Sequence, residues 1–310
     1  MFEVLGITAP IFILIGLGFL GRRFGWLSQE QVRGLGVFVI NLALPALVIE
    51  ALGQRPIREV LNPHYLAAYA LGSLAAYGAG FWLFRKRHQA GLTDSAIAAL
   101  GMAVSNSAFI GYPVAAIIAG PEAVVGMALG MLVENLLMTP LALVLGEVGR
   151  GQGGSIGQVA WQTAKRVARN PLIIGISVGV LLSSLEIRIP AAPLKVVQML
   201  AHAAAPVALF VIGAVLYGTP VRGQLAPIVQ IGLGKLVLHP LLVGLGFWLI
   251  GGLPMGLMLA GLVFASAPMM SVYPVIGQRF ALEGRCAAAL VLTTLLSFFT
   301  ISALLMALRA

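Results

Sequence analysis

Ten apolar stretches follow one another along the chain, near residues 5–24, 32–52, 63–84, 95–119, 122–146, 168–187, 194–217, 225–250, 255–279 and 284–308. Each is about as long as the roughly 20 residues a helix needs to cross a bilayer core. The runs are too long for strands and lack alternating polarity, and an open sheet edge cannot face lipid. Of the 310 residues, 60% are hydrophobic and 9% charged, against about 25% charged in a soluble domain. No water-soluble fold of this length covers so much apolar surface. The chain therefore reads as an all-α polytopic membrane protein bathed in membrane lipid. The first run, Ile7 to Leu20, has no basic region before it, so it is expected to be a span rather than a cleaved signal peptide.

The net charge is +9. In a soluble chain that would raise nucleic-acid binding; here the cations sit in short clusters between apolar runs, which points to topology, and no nucleic acid is expected. The odd-numbered loops hold thirteen: Arg22, Arg23, Arg33, Arg85, Lys86, Arg87, Arg150, Lys165, Arg166, Arg169, Arg222, Arg279 and Arg285. The other side holds five, Arg55, Arg58, Arg188, Lys195 and Arg309. That excess puts the odd loops in the cytoplasm and both termini outside it. The single cysteine, Cys286, excludes disulfide frameworks and multi-cysteine metal sites.

A shift of 161 residues lays the chain on itself without a gap. Pro10 meets Pro171, Pro45 meets Pro206, Ser105 meets Ser266, Tyr112-Pro113-Val114 meets Tyr273-Pro274-Val275, and Glu122 meets Glu283. The expected division is a five-span repeat over 1–146, a Gly- and Gln-rich, then basic, cytoplasmic linker over 147–167, and a second repeat over 168–310. Five crossings per copy start the second copy from the opposite face, so the two are inverted. Inverted repeats recur in secondary transporters, where they expose one midplane site to each side in turn.

Within the repeats, spans four and nine each carry small polar residues before a mid-span Tyr-Pro: Ser105-Asn106-Ser107 before Tyr112-Pro113, and Ser266 and Ser271 before Tyr273-Pro274. Proline inside a helix removes a hydrogen bond and breaks the preceding turn, which lipid tolerates only where the freed backbone is buried or lines a polar cavity. Paired interrupted helices point to a transporter's substrate site. Their half-helix N-termini suit an anion such as a carboxylate. The candidate binding residues are Asn106, Ser107, Tyr112, Pro113, Ser271, Tyr273 and Pro274. The plainer alternative is that the prolines kink packed helices and the serines pack helix on helix.

These residues resemble a known family. Asn106 to Val114 (NSAFIGYPV) is similar to the Asn-Ser/Thr-Gly-Phe-x-Gly-x-Pro signature of auxin efflux carriers. Asn41-Leu42-Ala43-Leu44-Pro45, Arg169-Asn170-Pro171 and Ala205 to Gly213 agree in order along essentially the whole chain. The resemblance implies ten transmembrane helices in two inverted five-helix repeats. In that architecture, of the bile acid symporter and NhaA type, broken helices 4 and 9 cross at their prolines between a scaffold and a transport domain. It also implies a secondary carrier for a small organic anion in a bacterial inner membrane, because bacterial members are commonly permeases for malonate or other small acids. Asn106, Pro113 and Pro274 would lie at the crossover. Ala108 stands where the family often has Gly, which bears on substrate size. The long cytoplasmic loop of many plant members is missing, so regulation through it is not expected.

Polar residues elsewhere in the spans supply candidates for coupling. Lys235 sits about ten residues from either end of span eight, where a charge costs roughly 2.5–3.5 kcal/mol and normally faces the protein interior. It would attract an anion, substitute for a bound cation, or act as a structural lysine on helix-end carbonyls. Glu134, beside Asn135 in span five, is a carboxyl group able to carry a proton across, or a helix-packing hydrogen bonder. Asn41 and His202 stand four residues before Pro45 and Pro206, placed to line the site or to cap freed carbonyls. His239 precedes Pro240, and a structural role is favoured for it. Glu50 is given no role.

An enzyme is not expected. The four histidines lack the His-Glu-x-x-His spacing, no Gly-rich loop with Lys-Ser/Thr is present, and Asp94 is the only aspartate. No cofactor or metal is expected. A channel is less excluded. A sodium-coupled symporter of the bile acid type is the nearer rival, yet no acid lies close in sequence to Asn106, Ser107 and Ser271, which favours proton coupling or uniport over sodium. A homodimer is compatible with this reading.

Overall fold

The computed structural model describes every residue except Met1, 54–55, 57–60, 151–156, 158–160, 162–163, 166–167, 219–223 and Ala310. Most of the expected linker 147–167 and the cations Arg55, Arg58, Arg166 and Arg222 lie outside the described residues, or among them only in fragments.

Among the described residues every regular element is helical. In chain order the principal helices are α1 (Phe2–Arg23), α2 (Gln29–Gly53), α3 (Pro63–His88), α4 (Leu92–Ala119, interrupted at 104–106), α5 (Glu122–Gly149), α6 (Pro171–Ser184), α7 (Ala191–Leu216), α8 (Leu225–Ile250), α9 (Met255–Ser266), α10 (Tyr273–Gln278) and α11 (Glu283–Arg309). Seven of them, α2 to α5, α7, α8 and α11, are long and apolar enough to cross a membrane, and α6 and α9 are shorter apolar helices. Local chemistry starts several of them. Asn62 and Asn170 each accept a backbone N–H of the first turn ahead of a proline at the first helical position. Ser28 and Gln31 form a reciprocal capping box at the start of α2.

Four prolines shape the helices in one way. Ahead of Pro45, Pro113, Pro140 and Pro240 the chain widens into a π-helical turn, over Val39–Ala43, Ser107–Gly111, Glu134–Met138 and Gly234–Leu238. The N–H of the residue before each proline reaches the carbonyl five back, as Tyr112 does to Ser107 and His239 to Gly234. The wider turn moves the backbone away from the proline ring, which would otherwise strike the carbonyl four residues back. Pro10 and Pro206, in contrast, sit inside continuous helix, so a proline alone does not break a span here.

The helices pack as two sets. α1 lies along α7, and α6 along α2, with α7 also on α2. The other set joins α3 to α8 and α4, α5 to α4 and α9, and α10 and α8 to α11. Among the described residues the buried polar ones belong to the second set except Ser183 of α6; they include Ser73, Ser95, Ser105, Asn106, Ser107, Glu134, Lys235, His239 and Ser266. Leu241, Trp248, Leu249, Val275 and Phe299 point outward instead. That apolar exterior around a polar interior is what a bilayer solvent selects.

Candidate functional site

The interruption in α4 and the gap between α9 and α10 meet. Val104 takes an extended conformation, and the Asn106 N–H that would have continued α4 donates instead to the carbonyl of Pro268, at 2.7 Å. The Asn106 amide nitrogen donates to Ser271 Oγ at 2.7 Å, and its carbonyl oxygen accepts from Phe109 N at 3.4 Å, so one side chain caps the new helical start and bridges to the other break. Close approach is allowed by Gly111, where a Cβ would stand 2.7 Å from a ring carbon of Phe264 in α9.

Behind this crossing lies a buried polar cluster built from four helices. Glu134 Oε1 accepts from the Ser105 N–H at 3.0 Å, from the Tyr69 hydroxyl at 3.1 Å and from the Ser107 hydroxyl at 3.3 Å. Lys235 Nζ donates to Ser105 Oγ at 2.8 Å and to the Ala265 carbonyl at 2.7 Å, and lies 2.7 Å from His239 Nδ1. His239 Nε2 is 3.0 Å from Ser73 Oγ. Ser105 therefore touches the carboxylate through its backbone and the ammonium through its side chain. Lys235 and His239 are fully buried, and Glu134 is 2% exposed. A carboxylate and an ammonium at this depth are tolerable only with such hydrogen-bonded partners.

The candidates named from sequence are distributed as follows. Asn106, Ser271, Ser107, Glu134 and Lys235 are brought together through Ser105, Pro268 and Ala265. Tyr273 is fully buried and its hydroxyl donates to the Ile97 carbonyl at 2.9 Å, whereas Tyr112 is half-buried. Pro113 is buried just after the π-helical turn of the second half of α4, and Pro274 is half-buried at the start of α10. Asn41 is exposed and its amide donates to Val37 O of its own helix at 2.9 Å; Asn135 likewise caps Met131 O, at 2.8 Å. His202 is exposed. Sequence reading passed over Ser105 as a binding group, and over Tyr69, Ser73 and the His239–Lys235 contact. A signal of position is shared by residues that the sequence did name, and it does not extend to these. Asn41, Ser107, Glu134 and Lys235 all lie four to six residues ahead of a proline, and all four sit in the π-helical turns. Such turns disrupt the backbone ladder and are frequent at functional sites.

A profile of the family described as membrane transport protein matches residues 4–305. The chain belongs to the auxin efflux carrier family of membrane transport proteins. It is 30% identical over 313 residues to a Rhizobium meliloti protein named "Putative malonate transporter", covering 100% of this chain and 97% of that one. It is also 29% identical over 148 residues to a Methanothermobacter thermautotrophicus protein named "Uncharacterized transporter", covering 47% of this chain and 48% of that one. As a member of a transporter family with seven helices able to cross a membrane, the chain is a multi-pass membrane protein that handles a small molecule.

Proposed function

We propose that this auxin efflux carrier family member is a secondary carrier that moves a small organic anion, a carboxylate, by alternating access around the crossing of α4 with the α9–α10 gap. The observation that carries the reading is the meeting of two helix breaks through Asn106 N to Pro268 O and Asn106 Nδ2 to Ser271 Oγ, 2.7 Å each. A helix start at Ser107 turns positive dipole toward the crossing, and Asn106 and Ser107 add side-chain polarity. The carboxylate class is supported by that chemistry and by the name of the Rhizobium relative, which specifies malonate.

In this reading alternating access is served by two five-span halves related by inversion, ten spans in all. Several features support this architecture. Shifted by 161 residues, the starts of α2, α3 and α5 fall within about one residue of those of α7, α8 and α11. The packing is reciprocal: α1 lies on α7 as α6 lies on α2. Gly18 of α1 abuts the backbone of Phe210 in α7, and its counterpart Gly179 of α6 abuts Val48 and Ile49 of α2, Ile49 being the counterpart of Phe210. In this reading α1, α2, α6 and α7 form the scaffold and the rest move as the transport domain. The repeats fall at 1–146 and 168–310 about a cytoplasmic linker, in a bacterial inner membrane, with both termini outside the cytoplasm. The coupling ion is the proton, held by Glu134 and Lys235.

A thermal-shift screen of mono- and dicarboxylates on purified protein tests the site. A small dicarboxylate should stabilise the unmodified protein, and Asn106→Ala should lose the shift. Full ligand stabilisation of Asn106→Ala would place the site elsewhere.

A further inference from the structure

Lys235 reaches the crossing from the π-helical turn of α8, and its surroundings are those of a coordinated ion. An ammonium has three protons, and three acceptors are in reach: Ser105 Oγ at 2.8 Å, Ala265 O at 2.7 Å and His239 Nδ1 at 2.7 Å. Using all three requires the His239 proton on Nε2, toward Ser73 Oγ. Ala265 is in the last turn of α9, where carbonyls lose their intrahelical partners and carry the negative end of the helix dipole. Ser105 lies in the interruption of α4 and also gives its N–H to Glu134. Neutral oxygens from two broken helices thus converge on one buried monocation, with a single carboxylate behind them. Unwound carbonyls and helix C-terminal ends are the groups that hold sodium in carriers with discontinuous helices.

We propose that Lys235 is a tethered cation filling a latent alkali-metal site. The unmodified carrier then runs without sodium, and the acceptors around the ammonium take sodium only once the lysine is removed. This rests on the carrier reading above and gives it a linkage. Ser105, which holds the ammonium, is followed directly by Asn106, which bridges the two breaks, so occupancy of the cation position and the set of the carboxylate site share one short stretch of backbone. The other titratable or charged groups around Lys235 are Glu134 of α5, His239 of α8 and Tyr69 of α3, while Asp94 of α4 and Arg285 of α11 pair with each other. Without Lys235 the buried Glu134 has two ways to lose its isolated charge: it takes a cation from solution, or it takes a proton.

The test is a thermal-shift titration of purified protein with sodium chloride against choline chloride at equal ionic strength. The unmodified protein should show no sodium-specific shift. Lys235→Ala should gain about 3 °C or more with sodium, and Lys235→Ala combined with Glu134→Gln should lose that gain. A folded, monodisperse Lys235→Ala without a sodium response overturns the proposal, as does a sodium-specific shift in the unmodified protein. Should Lys235→Ala not survive purification, uptake by the unmodified protein in proteoliposomes carries the test. Equal rates in sodium and choline support a tethered cation, and a sodium requirement overturns it. The titration contains no organic anion, so its failure leaves the carboxylate reading standing, and a failed search for a carboxylate leaves the sodium response standing.

Discussion

In α4 the interruption covers 104–106, and Ser105 and Asn106 within it, with Ser107 just beyond, are polar and tied to Glu134, Lys235 and Ser271. Between α9 and α10 the gap covers 267–272 and offers two methionines, the backbone carbonyl of Pro268 and one polar side chain, Ser271. The counterpart of Asn106 is Ala267, and Ser266, the counterpart of Ser105, folds back on Leu262 O of its own helix at 2.8 Å. Both segments end in Tyr-Pro, yet Tyr273 is locked in the core on Ile97 O while Tyr112 is half-buried. The two Tyr-Pro segments thus share a shape and differ in their chemistry. The first break carries the donors that contact both buried charges; the second supplies the Pro268 carbonyl, the Ser271 hydroxyl and a rigid anchor.

The largest effect should come from removing a charge from the polar side. Lys235→Met leaves the buried Glu134 unpaired and should cost about 3–5 kcal/mol, read as a fall in thermal stability. Adding Glu134→Gln to Lys235→Met should restore most of that loss, because neither charge then remains. If the single and double variants are equally destabilised, the two groups are not coupled through Ser105.

Next comes the anchor on the second break. Tyr273→Phe strips the donor from the Ile97 carbonyl in a closed core, a cost of about 1–3 kcal/mol. Because it acts on packing, it should lower the melting temperature while leaving the half-saturating substrate concentration unchanged. Asn106→Ala removes the bridge to Ser271 and the cap on Phe109, about 1–2 kcal/mol, and unlike Tyr273→Phe it should also abolish stabilisation by carboxylate. Smallest in stability is Tyr112→Phe, within about 0.5 kcal/mol. Its expected signature is a higher half-saturating concentration in uptake. If Tyr112→Phe and Tyr273→Phe behave alike, the asymmetry between the two breaks is wrong.

Much of this architecture is legible in the chain itself. Apolar runs mark helices because lipid leaves the backbone no other partner, and Asn62-Pro63 and Asn170-Pro171 mark two starts. The Tyr-Pro pairs mark the two crossing segments. The cluster was not legible in the same way. Tyr69, Ser105, Glu134 and Lys235 come from four helices, and in all-apolar spans no amphipathic stripe says which faces meet. Glu134 is far in sequence from Asn106, so counting acids near the motif missed the carboxylate that Ser105 and Ser107 both contact. The fates of Pro45 and Pro206 were equally hidden. They match under the 161-residue shift, yet a π-helical turn forms ahead of the first and unbroken helix runs through the second.

Counterflow in proteoliposomes tests the central claim most directly. Vesicles loaded with unlabelled malonate and diluted into labelled malonate should accumulate label transiently and saturably with the unmodified protein, and not with Asn106→Ala. A steady single-channel conductance, or counterflow undiminished in Asn106→Ala, would contradict a carrier whose carboxylate site is the crossing of the two broken helices.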